Sequence, residues 1–392
     1  MKHSITAALA AILVSTQGPR LLAQGFNSGS TGAYGPMNIT SDTTLNLPHD
    51  GIFHCTTINV AQNVTLRFNR NALNTPVYLL ATGDVTINGT IDVSGEQGTS
   101  SPPVGGRGGP GGFDGGSPGF DTLPPGAGYG PGAGKGGRPS SAADGVGSGS
   151  YATVASIGSS TNKGATYGSP LLVPLVGGSG SGGGTGVPGG PGYGGGGGGG
   201  AILIASNTRI SFGGGAGQIK IRADGGPGAQ GYAYGSGGAV RVVAPSVAGT
   251  GQYISAAGSG GQGRIRIDTI DRSALQLGFY GQASIGAFMA VFPNPVPRLD
   301  VINAAGTAIP EGNPSPVIIQ LPFGSDTNRT VTVQARDFGA SVPIRVVLTP
   351  ESGPPQTYDT TINNTTGNNP ASATVNVAVP VNTKVAVNAW TR

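Results

Sequence analysis

A short apolar stretch returns four times along this chain, each time next to glycine: Val77-Tyr78-Leu79-Leu80-Ala81, Ala201-Ile202-Leu203-Ile204-Ala205, Val240-Arg241-Val242-Val243-Ala244 and Arg264-Ile265-Arg266-Ile267. The first three lead to similar closing phrases, Ile91-Asp92-Val93-Ser94-Gly95, Ile221-Arg222-Ala223-Asp224-Gly225-Gly226 and Ile254-Ser255-Ala256-Ala257-Gly258. Each unit reads strand, turn, strand, glycine. Units of this size cannot bury an apolar face alone and must stack on one another, so the pattern predicts a solenoid. Leu79, Leu203, Val242 and Ile265 are expected to share its dry interior.

The unit from Val77 to Gly95 divides at Thr82-Gly83 and Asn88-Gly89 into three short strands, which predicts a three-sided cross-section. Val85, Ile87, Ile91 and Val93 alternate with Asp84, Thr86, Asn88, Thr90 and Asp92 at the period of a strand with one buried face. The expected fold class is therefore all-β, with a parallel β-helix as the first domain. Residues 26–71 show the same alternation and supply its cap and first coil. A buried helix is the competing reading, but β-branched residues with frequent Gly and Asn argue against it.

Glycine accounts for 75 of the 392 residues and only 10% are charged. The excess lies in a Gly/Pro/Ser-rich insertion at about 98–200. Composition favours a mobile insertion there. The other outcome is side-by-side packing of extended segments, because backbones without Cβ atoms approach closely. Pro293-Asn294-Pro295-Val296-Pro297 reads as a linker. In residues 298–392, seven candidate strands begin near Leu299, Val317, Thr330, Ile344, Gln356, Ala373 and Val385. Their spacing predicts an antiparallel β-sandwich. Trp390, the only tryptophan, is expected to anchor packing at the end of the last strand.

Lys2 and His3, followed by the apolar run Ile5 to Val14, match a secretory signal peptide over residues 1–24, and the mature domains are expected at 25–292 and 298–392. No later apolar run is long enough to predict a transmembrane segment after signal removal. Cys55 is the only cysteine, so no intramolecular disulfide is expected and a buried thiol is. The net charge of +4 is scattered, and nucleic acid is not an expected partner.

The passage Gly235 to Ala244 leading to Ile254–Gly258 resembles the glycine-rich coils of large exported proteins of environmental bacteria, commonly regarded as β-helical, and Pro76 to Gly95 looks like the opening coil of the same group. The resemblance covers most of residues 26–271. Val296 to Arg392 is similar in pattern to an immunoglobulin-like domain lacking the paired cysteines of antibodies. These resemblances imply surface or matrix roles and transfer no catalytic residue.

Pectate-lyase-like and polygalacturonase-like enzymes share the β-helix architecture, and their chemistry needs convergent carboxylates or a calcium-binding acid cluster. Asp84 with Asp92, and Asp268 with Asp271, are the candidate pairs; solvated strand or turn aspartates are the plainer reading. His49, Asp50, His54 and Cys55 lie close in sequence but lack the second cluster that a zinc site requires. Gly111-Gly112-Phe113-Asp114-Gly115-Gly116 is similar to glycine-aspartate calcium repeats without their repetition. Gly194 to Gly200 lacks the Lys-Ser or Lys-Thr of a phosphate loop. No cofactor is expected. Lys220, Arg222, Arg241, Arg264 and Arg266 alternate with inward Ile219, Ile221, Val240, Val242, Ile265 and Ile267. Aligned coils would set those cations in an outward ladder able to bind an acidic polysaccharide or other envelope component; keeping the surface soluble is the plainer role. The expected function is an exported, non-enzymatic structural or adhesive protein of the cell envelope or extracellular matrix. The alternatives are a carbohydrate-active β-helix enzyme and a glycan-binding module without turnover.

Overall fold

A computed structural model describes residues 25–138, 145–186, 192–292, 295–313 and 315–391. The expected signal peptide and positions 293 and 294 of the expected linker lie outside these residues. The chain is all-β, with strands β1 (Gly35–Ile39), β2 (Thr43–Asn46), β3 (Ile52–Val60), β4 (Thr65–Asn69), β5 (Val77–Ala81), β6 (Val85–Ile87) and β7 (Thr90–Asp92) before the glycine-rich insertion. A two-residue pair, β8 (Thr99–Ser100) and β9 (Pro103–Val104), lies near its start. After it come β10 (Ala201–Ser206), β11 (Arg209–Phe212), β12 (Ile219–Arg222), β13 (Ala239–Ser255), β14 (Arg264–Asp271), β15 (Leu275–Tyr280) and β16 (Gln282–Gly286).

Every pairing among β1–β7 and β10–β16 is parallel and joins strands distant in sequence, which gives three ladders. The first runs β3-β5-β10-β13-β14-β16. The second runs β1-β3-β6-β11-β13-β14, and the third β2-β4-β7-β12-β13-β15. The three strands expected between Val77 and Gly95 are β5, β6 and β7, one on each ladder. Gly89 turns the chain between the last two, where a Cβ would lie 2.3 Å from the carbonyl oxygens of Ala61 and Val64.

Side chains alternate across each ladder, and those facing inward form one cluster. Val77, Ile202, Val240 and Ile265 pair in register, as do Leu79, Ile204, Val242 and Ile267, and all eight belong to that cluster. Each such burial is worth roughly 1.5–3 kcal/mol. Leu203 corrects the expectation of a shared interior. It pairs with Tyr78 and Arg241, faces away from Leu79, Val242 and Ile265, and packs outside with Leu80, Val243 and Tyr151.

The insertion covers this outer face through Tyr151, Leu172 and Leu175, together with Val291 from the chain after β16. Its described part is a packed bundle, not the mobile loop that composition favours. All seven N–H groups of residues 194–200 are donated. Gly194, Gly197 and Gly200 bond the carbonyls of Thr99, Glu96 and Val93, and Gly195 and Gly198 bond those of Gly116 and Phe113. Gly199 bonds the Ser236 carbonyl, and Gly196 bonds Ser181 Oγ at 2.8 Å. In the first two sets, donors three apart reach the same neighbouring segment, the period of a left-handed extended helix with three residues per turn. Composition misleads because it counts the missing side-chain burial. It does not count the hydrogen bonds that bare backbones can make to several neighbours at once.

The C-terminal strands are β17 (Arg298–Ala304), β18 (Thr307–Ala308), β19 (Asn328–Arg336), β20 (Ala340–Pro350), β21 (Gln356–Asn364), β22 (Ala371–Ala378) and β23 (Val385–Thr391). They form two antiparallel sheets, β18-β17-β19-β22 and β21-β20-β23, with Val331, Val333, Ile344, Val346, Leu348 and Ile362 in a common core. The strand expected at Val317 does not form. Trp390, in β23, meets Phe113 of the insertion edge-on, with ring centroids 6.1 Å apart.

Candidate functional site

Three of the five candidate cations lie on the first ladder, where they fasten covering segments. Arg241 points out of the inner core as its register requires, but the chain after β16 folds back over it and it is fully buried. Its guanidinium donates to the carbonyls of Ala290 (2.6 Å), Phe288 (3.2 Å) and Val291 (3.3 Å) and lies 3.4 Å from Asp268. Burial pulls its pKa down, opposed by the Asp268 carboxylate. Arg266, paired in register with Arg241, holds the other Asp268 oxygen at 2.6 Å. Phe288 N–H donates to the same carboxylate at 2.9 Å. Arg264 donates to the Tyr167 carbonyl at 3.1 Å and lies over the Tyr151 ring at 5.6 Å.

Lys220 and Arg222 belong to the third ladder, so the five cations form no single stripe. Lys220 is buried, its ammonium donating to the Asn88 carbonyl at 2.6 Å and Gln218 Oε1 at 2.7 Å, and burial lowers its pKa. The expectation of an outward ladder is thus corrected at Arg241 and Lys220, which are enclosed. Arg222 remains exposed, 3.3 Å from Asp224.

Arg222 sits in the column that is the better candidate surface. In register on the third ladder are Thr44, Arg67, Asp92, Arg222, Ser255 and Tyr280. Arg67 lies 3.6 Å from Asp92, so positive and negative groups alternate along it. Asp224 flanks the column. Burial raises its pKa against the hydrogen bonds from Ser255 Oγ and the Ala257 N–H and the charge of Arg222, and Asp92 adds a further upward push. At the far end Tyr280, half exposed, stacks on Tyr253 with centroids 5.0 Å apart. With two cations against two carboxylates, the column presents hydrogen-bonding groups and an aromatic face without net charge.

Asp92 and Asp224 are the carboxylates that the fold brings together, and the Asp84–Asp92 pairing expected from sequence joins two different ladders instead. Asp84 accepts from Thr208. Asp271 accepts from Ser273 N–H and Oγ, which lowers its pKa, while Asp268 is enclosed between arginines. Aligning the closing phrases Ile91-Asp92 and Ile221-Arg222 would have found the column; Tyr280 follows no repeated phrase and carries no such signal.

His49, His54 and Cys55 serve the cap. His54 Nδ1 accepts from Thr31 N–H at 3.2 Å, and burial pushes the Cys55 thiol up to about 11. Asp114 of the glycine-aspartate phrase is taken by Arg70 at 2.5 Å and Gly108 N–H at 2.7 Å. Among the described residues no group of three or more His, Cys, Asp or Glu side chains is placed to hold a metal ion, and no helix is long and apolar enough to cross a membrane. No family model, curated protein or solved structure matches the chain.

Proposed function

We propose that this chain is an exported, non-enzymatic structural or adhesive protein of the cell envelope or extracellular matrix. In this reading β1–β16 are a parallel β-helix whose strands wrap three sides, and β17–β23 are an immunoglobulin-like β-sandwich. The observation that carries it is the use made of the insertion. The described part of the glycine-rich insertion is hydrogen-bonded into a packed bundle and tied to the first ladder by Arg264, which donates to the Tyr167 carbonyl, and this builds stiffness and surface. The resemblance to exported glycine-rich proteins supports the same reading.

The test is localisation with mechanics. The full chain, expressed in a bacterial host, is expected to be cut from intact cells by external protease and, once purified, to resist proteolysis across residues 95–200. Retention inside the cell, or rapid cleavage of the folded protein throughout the insertion, would overturn the proposal.

A second reading, a glycan-handling surface, draws on the Asp92–Asp224 juxtaposition beside the Tyr253–Tyr280 stack. Glycan-array binding lost in Tyr280→Ala supports binding. Reducing-end release or unsaturated-product formation lost in Asp224→Asn supports turnover.

A further inference from the structure

One apolar stretch stands apart from both cores. Val317-Ile318-Ile319-Gln320-Leu321 was expected to be a strand and lies against no sheet. Ile318 is 89% exposed, and Phe323 just beyond it is 99% exposed. No hydrogen bond from the backbone of residues 317–321 is formed within the described residues. Prolines stand at 316 and 322. Successive backbone groups of a strand point to opposite edges, so both prolines remove donors from one edge only. In an extended strand the N–H and C=O groups of Val317, Ile319 and Leu321 would all point to the other. The segment is built to pair on one side and to refuse a neighbour on its second side.

A second unpartnered feature lies at the end of the first ladder. Strand β16 pairs with β14 alone. Gln282 N–H is donated to the Gly263 carbonyl at 2.9 Å, so the backbone groups of Ala283 and Ile285 point to the open edge. Ile285 continues the inward column of Leu79, Ile204, Val242 and Ile267, yet it is 42% exposed, with Leu277 and Phe279 only partly covered beside it. Exposed edges are ordinarily blunted by charge or proline. β1, at the opposite end of the second ladder, contains Pro36, whereas residues 281–290 contain neither proline nor any charged residue, and residues 315–324 are uncharged as well.

We infer that the Val317–Leu321 segment of one molecule adds as a strand to the open edge of β16 in a second copy of this chain, closing its exposed core. The two are equal in length, both uncharged, and each lacks what the other supplies. Within one molecule the C-terminal sheets are held to the glycine bundle by the Trp390–Phe113 contact and by Ser352 Oγ donating to the Pro124 carbonyl at 2.6 Å. A second copy needs neither contact released. The contact is heterologous, one patch meeting a different one, so it builds a closed ring, a reciprocal pair or an open chain according to its rotation.

The experiment follows association of the full chain by analytical ultracentrifugation across a concentration series. Wild type is expected to self-associate, and Ile319→Pro to weaken association by about tenfold or more through a paired-edge donor. Ile318→Pro, one residue away in the same loop but on the edge already blocked, is expected to leave it unchanged. Ala283→Pro removes the matching donor on β16 and is expected to act like Ile319→Pro, and a mixture of those two variants is expected to restore a one-to-one complex through their intact halves. Monomeric wild type, equal loss in both loop variants, or a mixture that stays monomeric would each overturn the inference. Circular dichroism confirms that the Ala283→Pro variant is folded, and if it is not, Ile285→Asp takes its place with the same expected outcome.

Discussion

Replacing Gly198 by alanine is the sharpest test of the glycine bundle. A Cβ there would lie 2.0 Å from the Gly178 carbonyl oxygen and 2.3 Å from its carbon. Neither neighbour is a flexible side chain, so one backbone must move by about 1.4 Å to reach ordinary contact, and overpacking of this kind costs about 1–3 kcal/mol. The movement also strains two buried hydrogen bonds, Gly198 N–H to the Phe113 carbonyl at 2.8 Å and Gly178 N–H to the Gly199 carbonyl at 2.7 Å. Each buried bond left unmade adds roughly 1–3 kcal/mol. The expected loss is therefore about 3–9 kcal/mol, a large share of the ~5–15 kcal/mol that keeps an ordinary domain folded. The comparator is Gly215→Ala, whose Cβ would meet only the flexible Gln218 side chain, at 3.4 Å, and should lie within about 0.5 kcal/mol of wild type. Urea unfolding reads both, and if Gly198→Ala cannot be purified folded, the yield of soluble protein against the Gly215 variant reads the same difference. Indistinguishable Gly198→Ala and Gly215→Ala proteins would refute close packing of the bundle.

Further outcomes follow from the buried charges, the thiol and the tryptophan. Asp268→Ala leaves Arg241 enclosed with its carboxylate gone and is expected to cost about 3–5 kcal/mol, read as a fall in Tm much larger than that of Asp326→Ala on the C-terminal surface. The Cys55 thiol, pushed from an ordinary 9.0 to about 11 in the fold, binds its proton more tightly folded than unfolded. Its contribution is full below pH 9 and is lost as pH rises to about 11, by at most roughly 3 kcal/mol, so Cys55→Ala should flatten urea-unfolding stability across that window. Phe113→Ala removes the ring against Trp390 and is expected to shift tryptophan emission and to weaken docking of the C-terminal sheets by about 0.5–1.5 kcal/mol.

Much of the parallel sheet could be read from residues alone, because a period-two pattern with glycine at the corners leaves few other ways to bury Val85, Ile87, Ile91 and Val93. Register was harder. Leu203 is as apolar as Ile202 and Ile204, and β10 is buried on both faces, so alternation, the usual guide to facing, is absent there. Arg241 and Lys220 misled for a related reason: a charged residue in an outward position reads as solvent-facing, and nothing local announces the later segment that covers it. In the C-terminal region Val317–Leu321 has a strand's composition, but pairing is a property of neighbours and two prolines had already removed one edge. The order of the insertion was illegible because its stability resides in hydrogen bonds between glycines far apart in the chain.

That last property fixes when the bundle can assemble. Residues 194–200 draw their acceptors from Val93 at one extreme and Ser236 at the other, so no nascent or truncated chain ending before Ser236 contains every acceptor they require. Loop closure over such separations is entropically unfavourable until many contacts form together. The bundle must therefore set late and as a whole, after the flanking strands have brought its distant walls within reach.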